Sequence, residues 1–206
     1  MKKTTVLIVD DHAILRMGLT SLLNGKKDFA VVGDAADCET ALAKVRKLRP
    51  DVVIMDLMLP VTDGAESTRR IREIDPGAKI LILTTFGTSD GIARALKAGA
   101  LGAVLKNTDF DDLADAIRAV ASGRQYLSEE VARIMSDDPP AQDLTPRQSE
   151  ILHCMVRGLS NPDIAKMLDI SLAMVKEHSV SLFQKIGAAN RTEAVAIAMR
   201  KHLVDI

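Results

Sequence analysis

Tryptophan is absent from the 206 residues, and aromatic side chains make up only 2% of them. A chain with so few rings cannot build an aromatic core, so its 47% apolar content must fill the interior as Leu, Ile, Val, Ala and Met. Cysteine is nearly as scarce. Cys38 and Cys154 are the two present, far apart in sequence, which excludes a disulfide framework, leaves no zinc-ligand spacing and suits a reducing cytosol. Each falls among helical apolar positions, as a buried structural thiol. No apolar stretch approaches the ~20 residues of a membrane span. Lys2 and Lys3 precede a short apolar run, but Asp10 and Asp11 interrupt it too early for a signal peptide. A soluble, cytoplasmic protein is expected. An excess of either charge is also lacking, with a formal net of −1. The balance is uneven along the chain, however. Residues 1–143 carry 19 Lys+Arg against 22 Asp+Glu, and residues 144–206 carry 8 against 6. That tilt gives weak support to a polyanion partner for the C-terminal part.

What is present is hydrophobic patterning, over a length comfortable for two domains. Thr5 to Val9 reads as a strand leading into Asp10-Asp11. A helix with Ile14, Met17, Leu19, Leu22 and Leu23 mostly on one side follows and ends at Asn24-Gly25. Phe29 to Gly33 is a short strand. Cys38, Ala41, Leu42, Val45 and Leu48 recur at helical spacing until Arg49-Pro50. Val52 to Met55 reads as a strand buried on both faces, with Asp56 at its end and Thr62-Asp63-Gly64 as the turn or cap before a helix running to Ile74. Lys79 to Thr84 is a fourth strand, and Ile92, Ala95 and Leu96 mark a helix ended by Gly99. Gly102 to Leu105 is a fifth strand, and Phe110 to Ala121 a last helix before Gly123. Five strands alternating with five helices predict a parallel α/β sheet covered on both faces.

Parallel strands put their C-terminal ends at one edge. Asp10 and Asp11 follow the first strand there, Asp56 the third, Thr84 the fourth and Lys106 the fifth. Singly, each has a plain reading: Asp56 as a helix cap, Thr84 as a strand former, Lys106 as a solvated charge. Together they differ. Three crowded carboxylates repel, and a hard divalent cation with oxygen ligands and retained waters, Mg²⁺, is the usual remedy. A hydroxyl and an ammonium add donors for an anion. Metal, carboxylate nucleophile, hydroxyl and lysine describe a phosphoryl-transfer site at which an Asp becomes an aspartyl phosphate. No Gly-x-x-x-x-Gly-Lys loop is present for an ATPase, and the Asp-x-Asp of haloacid-dehalogenase-like phosphatases follows a first strand, not a third. No enzyme is expected.

Through Asp10-Asp11, Asp56-Leu57-Met58-Leu59-Pro60, Asp63-Gly64, Thr84 and Lys106, residues 1–123 resemble the receiver domain of two-component response regulators. The resemblance implies a flavodoxin-like (βα)5 fold with a parallel five-stranded sheet. It implies that Asp56 accepts phosphate from a histidine kinase, and that Asp11, Asp56 and the backbone carbonyl of Met58 bind Mg²⁺, with Asp10 helping through water. Lys106 would pair with the phosphate, and Thr84 would move to hydrogen-bond it. Two positions depart from the family pattern: Ala103 stands where a Tyr or Phe usually turns inward on activation, and Asn107 where Pro or Asp is frequent.

Residues 124–143 read as a linker. Gln125 to Met135 is expected as one short helix, and Ser136 to Asp143, with Pro139-Pro140, as a hinge. From Leu144 the pattern is all helical. Thr145-Pro146-Arg147-Gln148 fits a capping box with Pro at the first helical position. Ser160-Asn161-Pro162-Asp163 starts a shorter helix, Asp169-Ile170 is a tight connection to a long helix ending at Gly187, and Asn190-Arg191-Thr192-Glu193 caps a last one. Short helix, tight turn and long helix with a polar outer face match a helix-turn-helix. With Gly158-Leu159-Ser160-Asn161, Val175-Lys176, His178, Lys185 and Arg191-Thr192, residues 144–206 resemble the LuxR-type DNA-binding domain, an all-α four-helix unit. Receiver plus this domain is the architecture of the NarL/FixJ subfamily of transcriptional response regulators.

That resemblance implies double-stranded promoter half-sites as partner, a cognate histidine kinase, and a homodimer when active. The positions of Lys176, Glu177 and Val180 would point towards base edges. Lys176, His178, Lys185 and Arg191 would serve the DNA backbone, with Thr145 and Asn161 completing the contact set. Glu177 carries the wrong charge for a phosphate-lined groove unless it accepts from a cytosine amino group. The alternative reading is a protein-interaction regulator with a degenerate helix-turn-helix that does not read DNA.

Overall fold

Strands flanked by capped helices alternate along the first two-thirds of the chain in the computed structural model, which describes residues 3–85, 88–140, 144–201 and 203–204. Strands β1 (Thr4–Val9), β2 (Phe29–Ala35), β3 (Val52–Asp56), β4 (Ile80–Thr84) and β5 (Gly102–Leu105) alternate with helices α1 (Ala13–Gly25), α2 (Cys38–Leu48), α3 (Gly64–Ile74), α4 (Ser89–Lys97) and α5 (Phe110–Ala121). All pairings are parallel, and the sheet order begins β2-β1-β3-β4-β5. That order reverses between β1 and β3, the switch point outside whose carboxyl ends doubly wound sheets place their sites.

The sheet is buried because helices cover both faces. Every residue of β3 and β4 is buried. Alternate strand residues feed two cores: Leu7, Val9, Val53, Met55 and Ile82 on one face against α2, α3 and α4, and Val6, Ile8, Ile54, Leu81 and Val104 on the other against α1 and α5. Helix α1 corrects the sequence reading. Leu19 and Leu23 are buried, whereas Ile14, Met17 and Leu22 point outward, Ile14 being 88% exposed.

Two further expectations are corrected beyond β5. The sheet has six strands, not five: Tyr126–Leu127 forms a short β6, parallel to β5. Its amides satisfy the open edge, Tyr126 N–H donating to Leu101 O at 3.0 Å and Ser128 N–H to Ala103 O at 3.2 Å. The strands approach so closely that a Cβ on Gly102 would stand 2.4 Å from the Tyr126 carbonyl oxygen. Consequently the stretch from Gln125 is not one helix. Helix α6 spans Glu129–Asp137, capped by Ser128, whose hydroxyl accepts from Val131 N–H at 3.3 Å. Its Val131 is fully buried in the same core as Ile92, Ala95 and Ala103, with Met135 packed beside it. The small Ala103 side chain is thus covered by an aliphatic helix.

Chain contacts divide the molecule into two units, Met1–Asp138 and Pro139–Ile206. Residues 141–143 of the expected hinge lie outside the described residues. The second unit contains α7 (Pro146–Val156), α8 (Asn161–Met167), α9 (Leu172–Ile186) and α10 (Arg191–Arg200) around Ile151, Leu152, Met155, Ile164, Val175, Leu182, Ala194 and Ala198. Each helix has a side-chain N-cap: Thr145, Ser160, Ser171 and Asn190, the first two in reciprocal capping boxes. Asp169, at φ 52°, turns α8 into α9, and Gly187 at φ 73° ends α9. Among the described residues, no helix is long and apolar enough to cross a membrane.

Candidate functional site

Strand register sets the site before any side chain is considered. Val9 pairs with Met55, so Asp10 lies beside Asp56; Asp56 pairs with Leu83 and Thr84 with Leu105, which brings Thr84 and Lys106 to the same edge. Asp10, Asp56 and Thr84 are buried at 2%, 1% and 0% exposure. Asp11 stands at the rim. The Lys106 ammonium bridges the two buried carboxylates, 2.7 Å from Asp10 Oδ2 and 2.8 Å from Asp56 Oδ2. Burial works against its charge, yet the hydrogen bonds and charges of Asp10 and Asp56 outweigh burial and hold Lys106 above the ordinary lysine value. Thr84 Oγ1 has no hydrogen-bond partner among the described residues. A buried hydroxyl left so is costly unless a partner arrives.

The loop after β3 is shaped for the site. Met58 N–H donates to Asp56 Oδ1 at 3.1 Å. Asp56 therefore does not cap the following helix; Asp63 does, accepting from Glu66 N–H at 2.8 Å. Gly64 N–H donates to Leu57 O at 2.9 Å, and a Cβ on Gly64 would fall 2.2 Å from the Asp56 carbonyl oxygen. Only glycine lets α3 start this close to the strand end. Val61, fully exposed, makes the turn at φ 69°.

Two residues join that the sequence pattern did not single out. His12 Nδ1 lies 2.7 Å from Asp11 Oδ1 and 3.2 Å from Asp10 Oδ1, and its amide donates to Asp10 Oδ1 at 2.8 Å. Arg16 donates from Nη1 to the Asp10 carbonyl at 2.6 Å and from Nε to Asp34 Oδ2 at 2.8 Å, clamping the β1–α1 loop. His12 directly follows Asp10-Asp11, so its position was the available signal. Arg16 reaches the loop from one turn into α1 and gave none.

Ligand atoms of Asp10, Asp11, His12 and Asp56 all lie within 4.8 Å of one another. An octahedral ion with bonds of about 2.1 Å puts opposite ligands about 4.2 Å apart, so small side-chain adjustments suffice. One ammonium facing three carboxylates leaves a formal excess of two negative charges, the deficit a divalent cation fills. The carboxylate oxygens of Asp10, Asp11 and Asp56 are hard donors of the kind that suits Mg²⁺. Met58 is half exposed beside this cluster.

In the second unit, α9 exposes Lys176, Glu177 and Val180, with His178 half-buried. Lys185 Nζ donates to Gln148 Oε1 at 2.9 Å, the same oxygen that accepts from Thr145 N–H at 2.9 Å, while Gln148 Nε2 donates to Ser181 Oγ at 3.0 Å. Gln148 thereby ties two of the expected DNA-contact residues together. Arg191 turns inward: its guanidinium donates to Asn161 Oδ1 at 3.3 Å, to the Met155 carbonyl at 3.4 Å and to the Leu159 carbonyl. Arg191 and Asn161 thus meet each other, bracing α10 against the α7–α8 turn.

Comparison with known proteins follows the same division. Residues 6–118 match the family described as response regulator receiver domain, and residues 142–198 match the bacterial regulatory proteins of the luxR family. The response regulator protein VraR of Staphylococcus aureus is 36% identical over 205 residues, covering 97% of this chain and 98% of that protein. Among solved structures, the response regulator ChrA of a heme-sensing two-component system is similar at 38% identity and TM-score 0.58, over 99% of this chain and 100% of that one. RcsB of Salmonella enterica serovar Typhimurium, bound to a promoter in the presence of phosphomimetic BeF3⁻, is similar at 27% identity and TM-score 0.73, over 95% of this chain and 98% of that one.

Proposed function

The chain belongs to the NarL/FixJ-type response regulators, which join a receiver domain to a LuxR-type DNA-binding domain, and on that premise we propose how its residues divide the work of a DNA-binding transcription regulator. Residues 1–123 act as the receiver, 124–143 as the linker with α6 held on the receiver, and 144–206 as the DNA-binding domain. Asp56 is the phosphoacceptor. Its carboxylate attacks the phosphorus of a phosphohistidine on a cognate kinase; the new P–O bond forms as the P–N bond breaks and the imidazole leaves. Carboxylate-based phosphoryl transfer needs charge neutralisation more than covalent chemistry. Asp10, Asp11, Asp56 and the Met58 carbonyl would hold Mg²⁺, which would supply neutralising charge for the phosphoryl group. Lys106 leaves its carboxylate partners to pair with the phosphate, and the Thr84 hydroxyl donates to it. The chain acts by accepting phosphate and binding DNA, not as an enzyme on a separate substrate, and it works in the cytoplasm.

In the second unit, α9 enters the major groove. Lys176, Glu177 and Val180 face base edges, and Lys176, His178, Lys185 and Thr145 serve the backbone, with Arg191 and Asn161 bracing the fold behind them. Phosphorylation shifts the population towards a homodimer on paired half-sites.

The observation that carries this reading is the Lys106 ammonium shared between buried Asp10 and Asp56 at the sheet's switch point. Incubation with labelled acetyl phosphate and Mg²⁺ should label the wild-type chain and leave Asp56→Asn unlabelled. Equal labelling of the two overturns the assignment.

A further inference from the structure

Helix α9 buries Val175, Ser179, Leu182 and Ile186. Each residue advances a helix by about 100°, so the residues two positions earlier, Ala173, Glu177, Val180 and Gln184, lie about 160° round the axis from that buried row. All four are exposed. They form the row that points most directly away from the domain. The cationic side chains lie off this row, Lys176 to one side and Lys185 to the other, the latter tied to Gln148. A helix that enters a groove along this row puts cations towards the two phosphate walls and Glu177 at the floor.

There a carboxylate acts by selection. It raises the energy of every duplex through the phosphates, but its interaction with the floor depends on the base. Guanine offers N7 and O6 and thymine offers O4, all acceptors that repel it; adenine sets a donor beside the N7 acceptor; cytosine presents the N4 amino group alone. The neighbours on the row have their own preferences: Ala173 and Val180 suit the thymine methyl group, and Gln184 suits adenine N6 and N7. Resting on the assignment of α9 as recognition helix, we infer that Glu177 is the specificity-determining residue of this chain: it accepts from a cytosine amino group, so that each half-site carries a C·G pair at one fixed position among A·T pairs.

The test is selection of binding sites from a randomised duplex library by the full-length chain, with and without acetyl phosphate, followed by fluorescence anisotropy at fixed salt. Wild-type protein should enrich a cytosine at one fixed half-site position, and changing that pair should weaken binding roughly fivefold to a hundredfold. Glu177→Ala should lose the preference at that position alone and bind arbitrary duplex more tightly, since the repelling charge is gone. Glu177→Gln should move the preference from cytosine to adenine, the base an amide pairs with. Thermal melts of both variants should match wild type, because the side chain is exposed. A wild-type consensus without a fixed cytosine, or one that Glu177→Ala leaves unchanged, overturns the inference while leaving DNA binding intact. Failure of wild type to bind any duplex at low salt in either phosphorylation state overturns the DNA-binding reading and this inference with it.

Discussion

Gly64 shows how tightly single residues are constrained at the acidic edge. In an ordinary helix, replacing Gly by Ala stabilises by about 1 kcal/mol. Here the new Cβ would sit 2.2 Å from the Asp56 carbonyl oxygen and 2.7 Å from the Leu57 Cα, both backbone atoms that cannot rotate away. Forced overlap of this kind costs about 1–3 kcal/mol and moves the backbone, so the overlap wins. Gly64→Ala should therefore lower the denaturant midpoint and also slow labelling of Asp56 by acetyl phosphate, because the displaced atoms belong to the phosphoacceptor itself. A stabilised variant with normal labelling would contradict the close approach. The residues at this edge were legible because strand order and register alone bring Asp10, Asp11, Asp56, Thr84 and Lys106 together. His12 and Arg16 were not, because their contacts depend on how far a side chain reaches and in which rotamer. Arg191 shows the same limit from the other side: its charge suggests a phosphate, and the three acceptors inside the fold that also hold its guanidinium leave no trace in the pattern.

At the scale of elements, the sequence announces helices most clearly where a cap precedes an apolar period. Helix α2 is an example: Asp37 accepts from Thr40 N–H at 2.8 Å and from the Thr40 hydroxyl at 3.0 Å. The amide hydrogen bond, followed by the hydroxyl, lowers the Asp37 carboxyl below its ordinary value. A carboxyl lowered in the folded state contributes stability above its unfolded pKa of about 3.9 and loses it as pH falls through the lowered folded value. Asp37→Ala should thus cost about 1 kcal/mol near neutral pH, and the gap to wild type should close below pH ~4. Urea melts at pH 7 and in acid would measure both; a constant gap across that range would assign the loss to packing instead. By contrast, β6 could not be read from pattern. Two residues have no period, and Tyr126–Leu127 is a strand only because β5 offers an open edge. The start of α6 was misplaced for the same reason, although Ser128 followed by Glu129 and Glu130 was a helix start in plain view.

For the whole molecule, the decisive fact is that each of the two units carries its own core, one around the sheet and one around α7 to α10. The acidic cluster belongs entirely to the first unit. A divalent cation that binds there only when the strands are assembled stabilises that unit by RT ln(1 + [L]/Kd), which at a hundredfold excess over Kd is about 2.7 kcal/mol. Thermal unfolding in Mg²⁺ should therefore raise the transition of the first unit and leave that of the second in place, relative to the same protein in EDTA. Asp11→Asn should reduce the shift, since it removes a ligand charge at the rim while leaving the Lys106 bridge between Asp10 and Asp56 intact. General ionic screening would act differently: NaCl at matched ionic strength would reproduce the Mg²⁺ effect, and Asp11→Asn would barely alter it. Calorimetry in the three conditions separates the alternatives. A shift of the first transition specific to Mg²⁺ locates the cation at the strand ends, where the sheet leaves two negative charges in excess; equal movement of both transitions would place its effect on the surface at large.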